Sequence, residues 1–128
     1  HRDLHSFPTR RSSDLTNEAL DSGIAVTKPG NTADDVAQKF WDVLDKYGIK
    51  KDSRTGYSIG IGYPPDWGEQ TLNISKGDKT VLQPNVTFHM IAVMQFGEWG
   101  VEASESVRVS EKGSELFCHL SRELHIKG

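Results

Sequence analysis

Two segments in the second half of the chain carry apolar residues at nearly every second position. From Val86 to Met94 every even position is apolar, and from Val101 to Val109 every odd position except Glu105 is apolar. A period of two places each set on one face of a strand. The pattern predicts two strands that bury one face and turn a more polar surface, with His89, Glu102 and Ser104, the other way.

The clearest helix signal lies in the first half of the chain. Thr32 is a favourable N-cap, and Asp35 three residues later is typical of a capping box. Apolar residues then recur at helical spacing, and Gly48 ends the helix. A shorter pattern from Asn17 to Thr27 predicts the end of another helix. The apolar stripe of the main helix consists of Val36, Phe40, Val43, Leu44 and Tyr47.

Glycines punctuate the segment from Gly56 to Tyr63, which we predict to be a strand with close backbone approach to a neighbour. The two prolines that follow predict a loop from Tyr63 to Gly68, because proline cannot donate to a strand ladder. Leu72 and Ile74 indicate a short further strand. Helical and strand patterns together predict an α+β fold.

Composition excludes several classes of protein. The chain has 128 residues, enough for one domain, with 26% charged residues and a net charge of −3. This balance argues against wholesale disorder and against a nucleic-acid partner. The longest apolar run, Met90 to Met94, is far too short to span a membrane. Cys118 is the single cysteine, which excludes an internal disulfide and favours a cytoplasmic location.

The first fifteen residues, His1 to Leu15, carry no helical period or strand alternation. From His5 onward they resemble the translation of a common short-read sequencing adapter. We therefore expect residues 1–15 to be an artefactual, disordered tail that does not pack on the rest. The credible chain then begins near Thr16, and its gene is expected to have been cut at the 5′ end.

Candidate chemistry centres on His89. A histidine and a carboxylate on facing strand surfaces form a plausible acid–base pair, so we select His89 and Glu102 as catalytic candidates. The loop from Tyr63 to Trp67 is a candidate aromatic wall for a small ligand. The structural alternatives are a hydrogen-bonded core histidine, a surface glutamate and a rigid turn.

Several segments carry a resemblance to the pita-bread hydrolases, which comprise creatinase, aminopeptidase P, prolidase and methionine aminopeptidase. The resemblance implies a partial pita-bread fold, with a curved antiparallel sheet and helices packed on its outer face. Residues 16–128 would be the C-terminal portion of the catalytic domain, truncated at its N-terminal side. The matching segments are KPGNTADDV (28–36), GYSIGIG (56–62), LQPNVTFHM (82–90) and WGVEASESVRVSEKG (99–113).

The segment from Ser53 to Glu69 resembles the ectoine hydrolase subgroup more specifically. Metallopeptidases of the family bind two metal ions through two Asp, one His and two Glu residues. By the resemblance, the His position falls on Tyr57 and the Glu positions fall on Ile91 and Ser104. None of the three is a usual ligand of a paired metal site. We therefore expect no metal cofactor.

The sequence thus predicts a fragment of a metal-independent hydrolase of C–N bonds, acting on a small cyclic amidine. Tyr57, Tyr63, Trp67 and Ser104 are the expected substrate-binding residues. One alternative is an Xaa-Pro dipeptidase or aminopeptidase with a pair of Mn or Co ions, and another is a non-catalytic binding module. The expected partner is a small-molecule substrate, and the parent protein is expected to be a homodimer. Because the family builds its site from both halves of the fold, we expect this fragment alone to be inactive.

Overall fold

The computed structural model describes residues 10–50, 53–125 and 127. In this part of the chain two helices precede five strands. The helices are α1 (Arg10–Ala25) and α2 (Ala33–Lys46), and the strands are β1 (Gly56–Tyr63), β2 (Asp66–Ile74), β3 (Thr87–Phe96), β4 (Trp99–Val109) and β5 (Ser114–Leu116). None of the described helices has the length and apolar character needed to cross a lipid bilayer.

The strands form one antiparallel sheet in the order β2-β1-β3-β4-β5, curled into a half-barrel. Its centre is the long ladder between β3 and β4, which runs from the pair Thr87–Arg108 to the pair Phe96–Trp99. Directly opposed residues lie on the same face of a sheet. The prediction that the polar positions of β3 and β4 share one surface is therefore confirmed.

The opposite face of the sheet carries the core, and both helices pack there. Helix α1 contacts β3 and β4, whereas α2 contacts α1 and β2. The even positions of β3 are all buried against this layer, as their alternation predicts: Phe88, Met90, Ala92, Met94 and Phe96.

Helix α2 has the boundaries that its capping residues predict. The Thr32 hydroxyl accepts a hydrogen bond from the Asp35 amide at 3.1 Å, and the Asp35 carboxylate accepts one from the Thr32 amide at 2.8 Å. This reciprocal pair satisfies two backbone donors at the helix start. At the other end Gly48, with φ of 71°, follows the C-cap residue Tyr47.

The hairpin of β1 and β2 departs from the prediction in its length. Tyr63 pairs with Asp66, so Pro64 and Pro65 alone form the turn and the predicted loop from Tyr63 to Gly68 is mostly strand. The prolines exclude ladder donors only at their own positions. Strand β2 is also longer than the short strand predicted around Leu72 and Ile74, because it continues through register shifts in the pairing with β1.

The expectation of a disordered tail was wrong for residues 10–15, which form the first turns of α1. Leu15 is 2% exposed and belongs to the core cluster with Ala19 and Leu20. Its spacing of four residues from Ala19 places these two side chains on the same helix face. Burial follows from this spacing whatever the origin of the coding sequence. Residues 1–9 of the predicted tail lie outside the described part of the chain.

A buried ion pair joins the C-terminal segment to the sheet and to α1. Glu105 is 6% exposed, and its carboxylate lies 3.0 Å from Nε of Arg122. A second nitrogen of Arg122 lies 2.6 Å from Asp21, and the Arg122 carbonyl accepts a hydrogen bond from Asn17. Arg122 therefore holds a segment without regular secondary structure in place beside β4.

We expect Leu15→Ala to lower the free energy of unfolding by about 2–4 kcal/mol, because it empties a buried leucine site. Chemical denaturation of the 128-residue chain measures the change. Leu120→Ala is the matched control, since Leu120 is 79% exposed and its truncation should cost about 0.5 kcal/mol or less. Equal losses in the two variants would contradict the packing of the N-terminal helix.

Arg122→Met should lower the free energy of unfolding by about 2–4 kcal/mol, because it leaves the buried Glu105 carboxylate without its cation. The double variant Glu105→Leu with Arg122→Met should recover a large part of this loss, since no buried charge then remains unpaired. Thermal and denaturant unfolding of the three proteins test the coupling. Additive losses in the double variant would show that the two side chains do not interact.

Candidate functional site

A row of four polar or aromatic side chains crosses the face of the sheet opposite to helices α1 and α2. Asn73 on β2 pairs with Tyr57 on β1, Tyr57 pairs with His89 on β3, and His89 pairs with Ser106 on β4. One step along, Ile91 pairs with Ser104. We call this surface, with Tyr57, His89, Ile91, Ser104 and Ser106, the open face.

Gly56 permits the close pairing of β1 with β3 that brings Tyr57 beside His89. A Cβ atom at Gly56 would lie 2.7 Å from the carbonyl oxygen of His89, which is closer than Cβ atoms come to other heavy atoms in real proteins. The rings of Tyr57 and His89 are consequently neighbours, with centroids 5.8 Å apart and planes tilted by 54°. The prediction that the glycines of this strand mark close approach is confirmed at Gly56.

Ser106 is the hydrogen-bond partner of His89. Its Oγ lies 2.9 Å from Nδ1 of the imidazole, and no described residue hydrogen bonds to Nε2. The two side chains line a cavity of about 360 Å³, together with Ser104 and the C-terminal residues Phe117 and Cys118. The hydrogen bond on one ring nitrogen orients the ring and leaves the other nitrogen for chemistry.

Partial burial lowers the pKa of His89 below its ordinary value, because burial penalises the charged imidazolium. The negative charges of Glu102 and Glu105 act in the opposite direction and are the smaller influence. The lowered pKa favours the neutral imidazole. A neutral imidazole can accept a proton, which is the property that a general base requires.

Glu102 does not form the hydrogen-bonded pair with His89 that the sequence suggests. It is exposed and lies opposite Val93, whereas His89 lies opposite Ser106, four residues further along β4. At the rise of a strand this separation is about 13 Å along the backbone. Glu102 shares the open face with His89 and acts on it through charge alone.

The structure does not bring Tyr63 to His89. Tyr63 is 79% exposed at the end of β1, six residues beyond Tyr57, or about 20 Å along the strand. Trp67 lies near the start of β2, and its side chain is outside the described part of the structure. Tyr63 therefore lies far from His89, and the aromatic wall of residues 63–67 stays a prediction.

Two functional candidates, Arg54 and Ser106, escape the analysis of the sequence. The guanidinium of Arg54 lies over the Tyr57 ring at 4.9 Å from its centroid and donates to Oδ1 of Asn73 at 2.7 Å. Arg54 and Tyr57 line a second cavity of about 320 Å³ with Ile91 and Val93. The signal for Ser106 is strand register, since it lies opposite His89 on the neighbouring strand. The signal for Arg54 is its place just before β1, three residues from Tyr57.

The residues at the expected ligand positions do not fit a paired metal site. Ile91 and Ser104 face each other across β3 and β4, and Tyr57 lies on the adjoining strand of the same surface. Isoleucine offers no donor atom, and a serine hydroxyl is a weak neutral donor. Among residues 10–50, 53–125 and 127, no three His, Cys, Asp or Glu side chains cluster closely enough to hold a metal ion.

Comparison with known proteins gives close relatives in sequence. The chain is 40% identical over 111 residues to an ectoine hydrolase of Halomonas elongata, a match that covers 86% of this chain and 28% of the relative. It is also 40% identical over 120 residues to an uncharacterized hydrolase/peptidase, y4tL, of Sinorhizobium fredii, covering 90% of this chain and 29% of that protein. The chain thus spans less than a third of the length of these relatives.

Solved structures match the fold over nearly the whole chain. The dipeptidase PepE from Mycobacterium ulcerans matches with a TM-score of 0.80 and 24% identity, over 90% of this chain and 30% of its own. The prolidase from Pyrococcus horikoshii matches with a TM-score of 0.79 and 20% identity, over 90% of this chain and 33% of its own. The predicted partial pita-bread fold is confirmed.

The family model for metallopeptidase family M24 matches residues 5–111. This match covers most of the chain and agrees with both the relatives in sequence and the solved structures. The chain belongs to metallopeptidase family M24.

Proposed function

We propose that this chain is part of a hydrolase that cleaves a C–N bond in a small cyclic amidine without a bound metal pair. The observation that carries the proposal is the set of residues on the open face. Tyr57, Ile91 and Ser104 occupy the expected ligand positions, and a neutral histidine lies beside them. The relative named ectoine hydrolase, at 40% identity, supports a cyclic amidine as the substrate class.

His89 is the proposed general base. Nδ1 is held by Ser106, so Nε2 is the atom that takes a proton from the attacking water. The water oxygen bonds to the amidine carbon, the C–N bond breaks, and the departing nitrogen receives the proton from the imidazolium. The charges of Glu102 and Glu105 stabilise the imidazolium while it carries this proton.

Tyr57 and Ser104 are the proposed substrate contacts on this face. Tyr57 presents its ring beside His89, and Ser104 lines the His89 cavity. A ring face and a hydroxyl next to the base suit a small, flat substrate that carries hydrogen-bonding nitrogens. Residues from the remainder of the full-length protein would complete the site, so we expect the 128-residue chain alone to be inactive.

A second candidate function is a metal-dependent Xaa-Pro dipeptidase or aminopeptidase. The match in fold to prolidases and to an X-Pro aminopeptidase from Thermotoga maritima favours it. This function requires a pair of divalent ions, Mn or Co, for which Tyr57, Ile91 and Ser104 are unsuited ligands. The metal content of the protein discriminates the two functions.

His89→Gln in the full-length protein should lower kcat for ectoine hydrolysis about 10²–10⁴-fold, because it removes the proposed general base. His119→Gln is the matched control, since His119 is exposed in the C-terminal segment and has no proposed role. In the unsubstituted protein kcat/KM should fall at acid pH, and the midpoint of this fall should lie below the ordinary pKa of a histidine, because burial lowers the pKa of His89. Full activity of His89→Gln would exclude His89 as the base.

Elemental analysis of the full-length protein, purified without chelator, should find Mn, Co and Zn at substoichiometric levels. Treatment with EDTA should leave ectoine hydrolysis unchanged, because the proposed reaction uses a side-chain base. The prolidase from Pyrococcus horikoshii, handled in parallel, controls for metal lost during purification. One or more tightly bound ions per chain, with activity lost on chelation, would favour the peptidase function instead.

A further inference from the structure

Arg54 is an exposed cation that is held in a defined position on the open face. Its guanidinium lies over the Tyr57 ring, and one of its terminal nitrogens donates to Asn73 at 2.7 Å. The other guanidinium nitrogens have no hydrogen-bond partner among the described residues. The hydrolysis proposed above assigns no role to Arg54.

Resting on the proposed function, we propose that Arg54 binds the carboxylate of the substrate. The substrate class is then a small cyclic amidine that carries a carboxylate, as ectoine does. Arg54 is thus a specificity-determining residue for the reaction assigned to His89.

The geometry of Arg54 suits a carboxylate. A guanidinium presents parallel N–H donors that match the two oxygens of a carboxylate. Because stacking on Tyr57 and the hydrogen bond to Asn73 already restrict the side chain, binding costs less conformational entropy than it would for a free arginine.

The surrounding cavity suits the rest of such a molecule. Ile91 and Val93 supply an apolar wall next to Arg54 and Tyr57, in a space of about 320 Å³. Tyr57 lies next to both Arg54 and His89. Its ring centroid is 4.9 Å from the Arg54 guanidinium and 5.8 Å from the His89 ring centroid. A small molecule with its carboxylate on Arg54 can therefore place a C–N bond beside His89.

Other charges near the open face are otherwise engaged. The Asp66 carboxylate, which Arg54 influences only weakly, accepts hydrogen bonds from the amide of Gly68 and the side chain of Gln70. Arg108 is paired with Glu115 at 2.7 Å and also donates to Asn85. Arg54 itself makes a single side-chain hydrogen bond to the described residues, to Asn73, so most of its N–H donors remain for a ligand.

The test compares ectoine with its carboxamide, which lacks the negative charge, on the full-length protein. Arg54→Gln should raise KM for ectoine about tenfold or more, the loss expected for a charge-assisted hydrogen-bonded pair. Its kcat should stay within about threefold, because Arg54 contacts a part of the substrate that does not react. Arg54→Gln should leave KM for the carboxamide unchanged. For ectoine, the KM of Arg54→Lys should lie between those of the unsubstituted protein and Arg54→Gln.

Arg108→Gln is the matched control, because it removes an arginine of the same face that is already paired. Calorimetric titration of the same proteins with ectoine separates binding from turnover. Binding that depends on Arg54, without turnover, would refute the proposed hydrolysis and support the carboxylate site. Turnover that Arg54→Gln does not alter would refute the carboxylate site and leave the hydrolysis standing. Absence of both binding and turnover would refute both.

Discussion

The register of the β3–β4 ladder is the constraint on which the rest of this structure depends. In the observed register Phe88, Met90 and Ala92 point into the helix layer, and His89 and Ile91 point to the open face. A slip of one residue would exchange these two sets, which would bury an imidazole and expose a phenylalanine. The burial of the even face therefore also determines the position of the proposed catalytic histidine.

The open face combines the fold of the family with side chains that differ from the metal ligands expected by resemblance. Membership of family M24 and the match to prolidases describe the scaffold, whereas function depends on the side chains that the scaffold presents. At the expected metal positions the chain has a phenol, an aliphatic side chain and a hydroxyl. The neighbouring His89 and Arg54 are the residues to which we assign the proposed base and the proposed carboxylate contact.

Segments with weak patterns contribute to the fold through single well-placed side chains. Leu15 extends the apolar stripe of α1, although the residues before it carry no periodic signal. Arg122 joins the C-terminal segment to Glu105 and Asp21, although that segment has almost no regular structure. Their burial and pairing arise from contacts between distant parts of the chain.

Local patterns in the sequence determined helix α2 with its capping box, the strand at Gly56–Tyr63, and the faces of β3 and β4. These features depend on residues a few positions apart, so spacing alone predicts them. Only the tertiary structure decided that His89 pairs with Ser106 and lies far along β4 from Glu102, that Arg54 stacks on Tyr57, and that Leu15 enters the core. Each of these depends on strand register or helix packing, which places residues together that the linear sequence keeps apart.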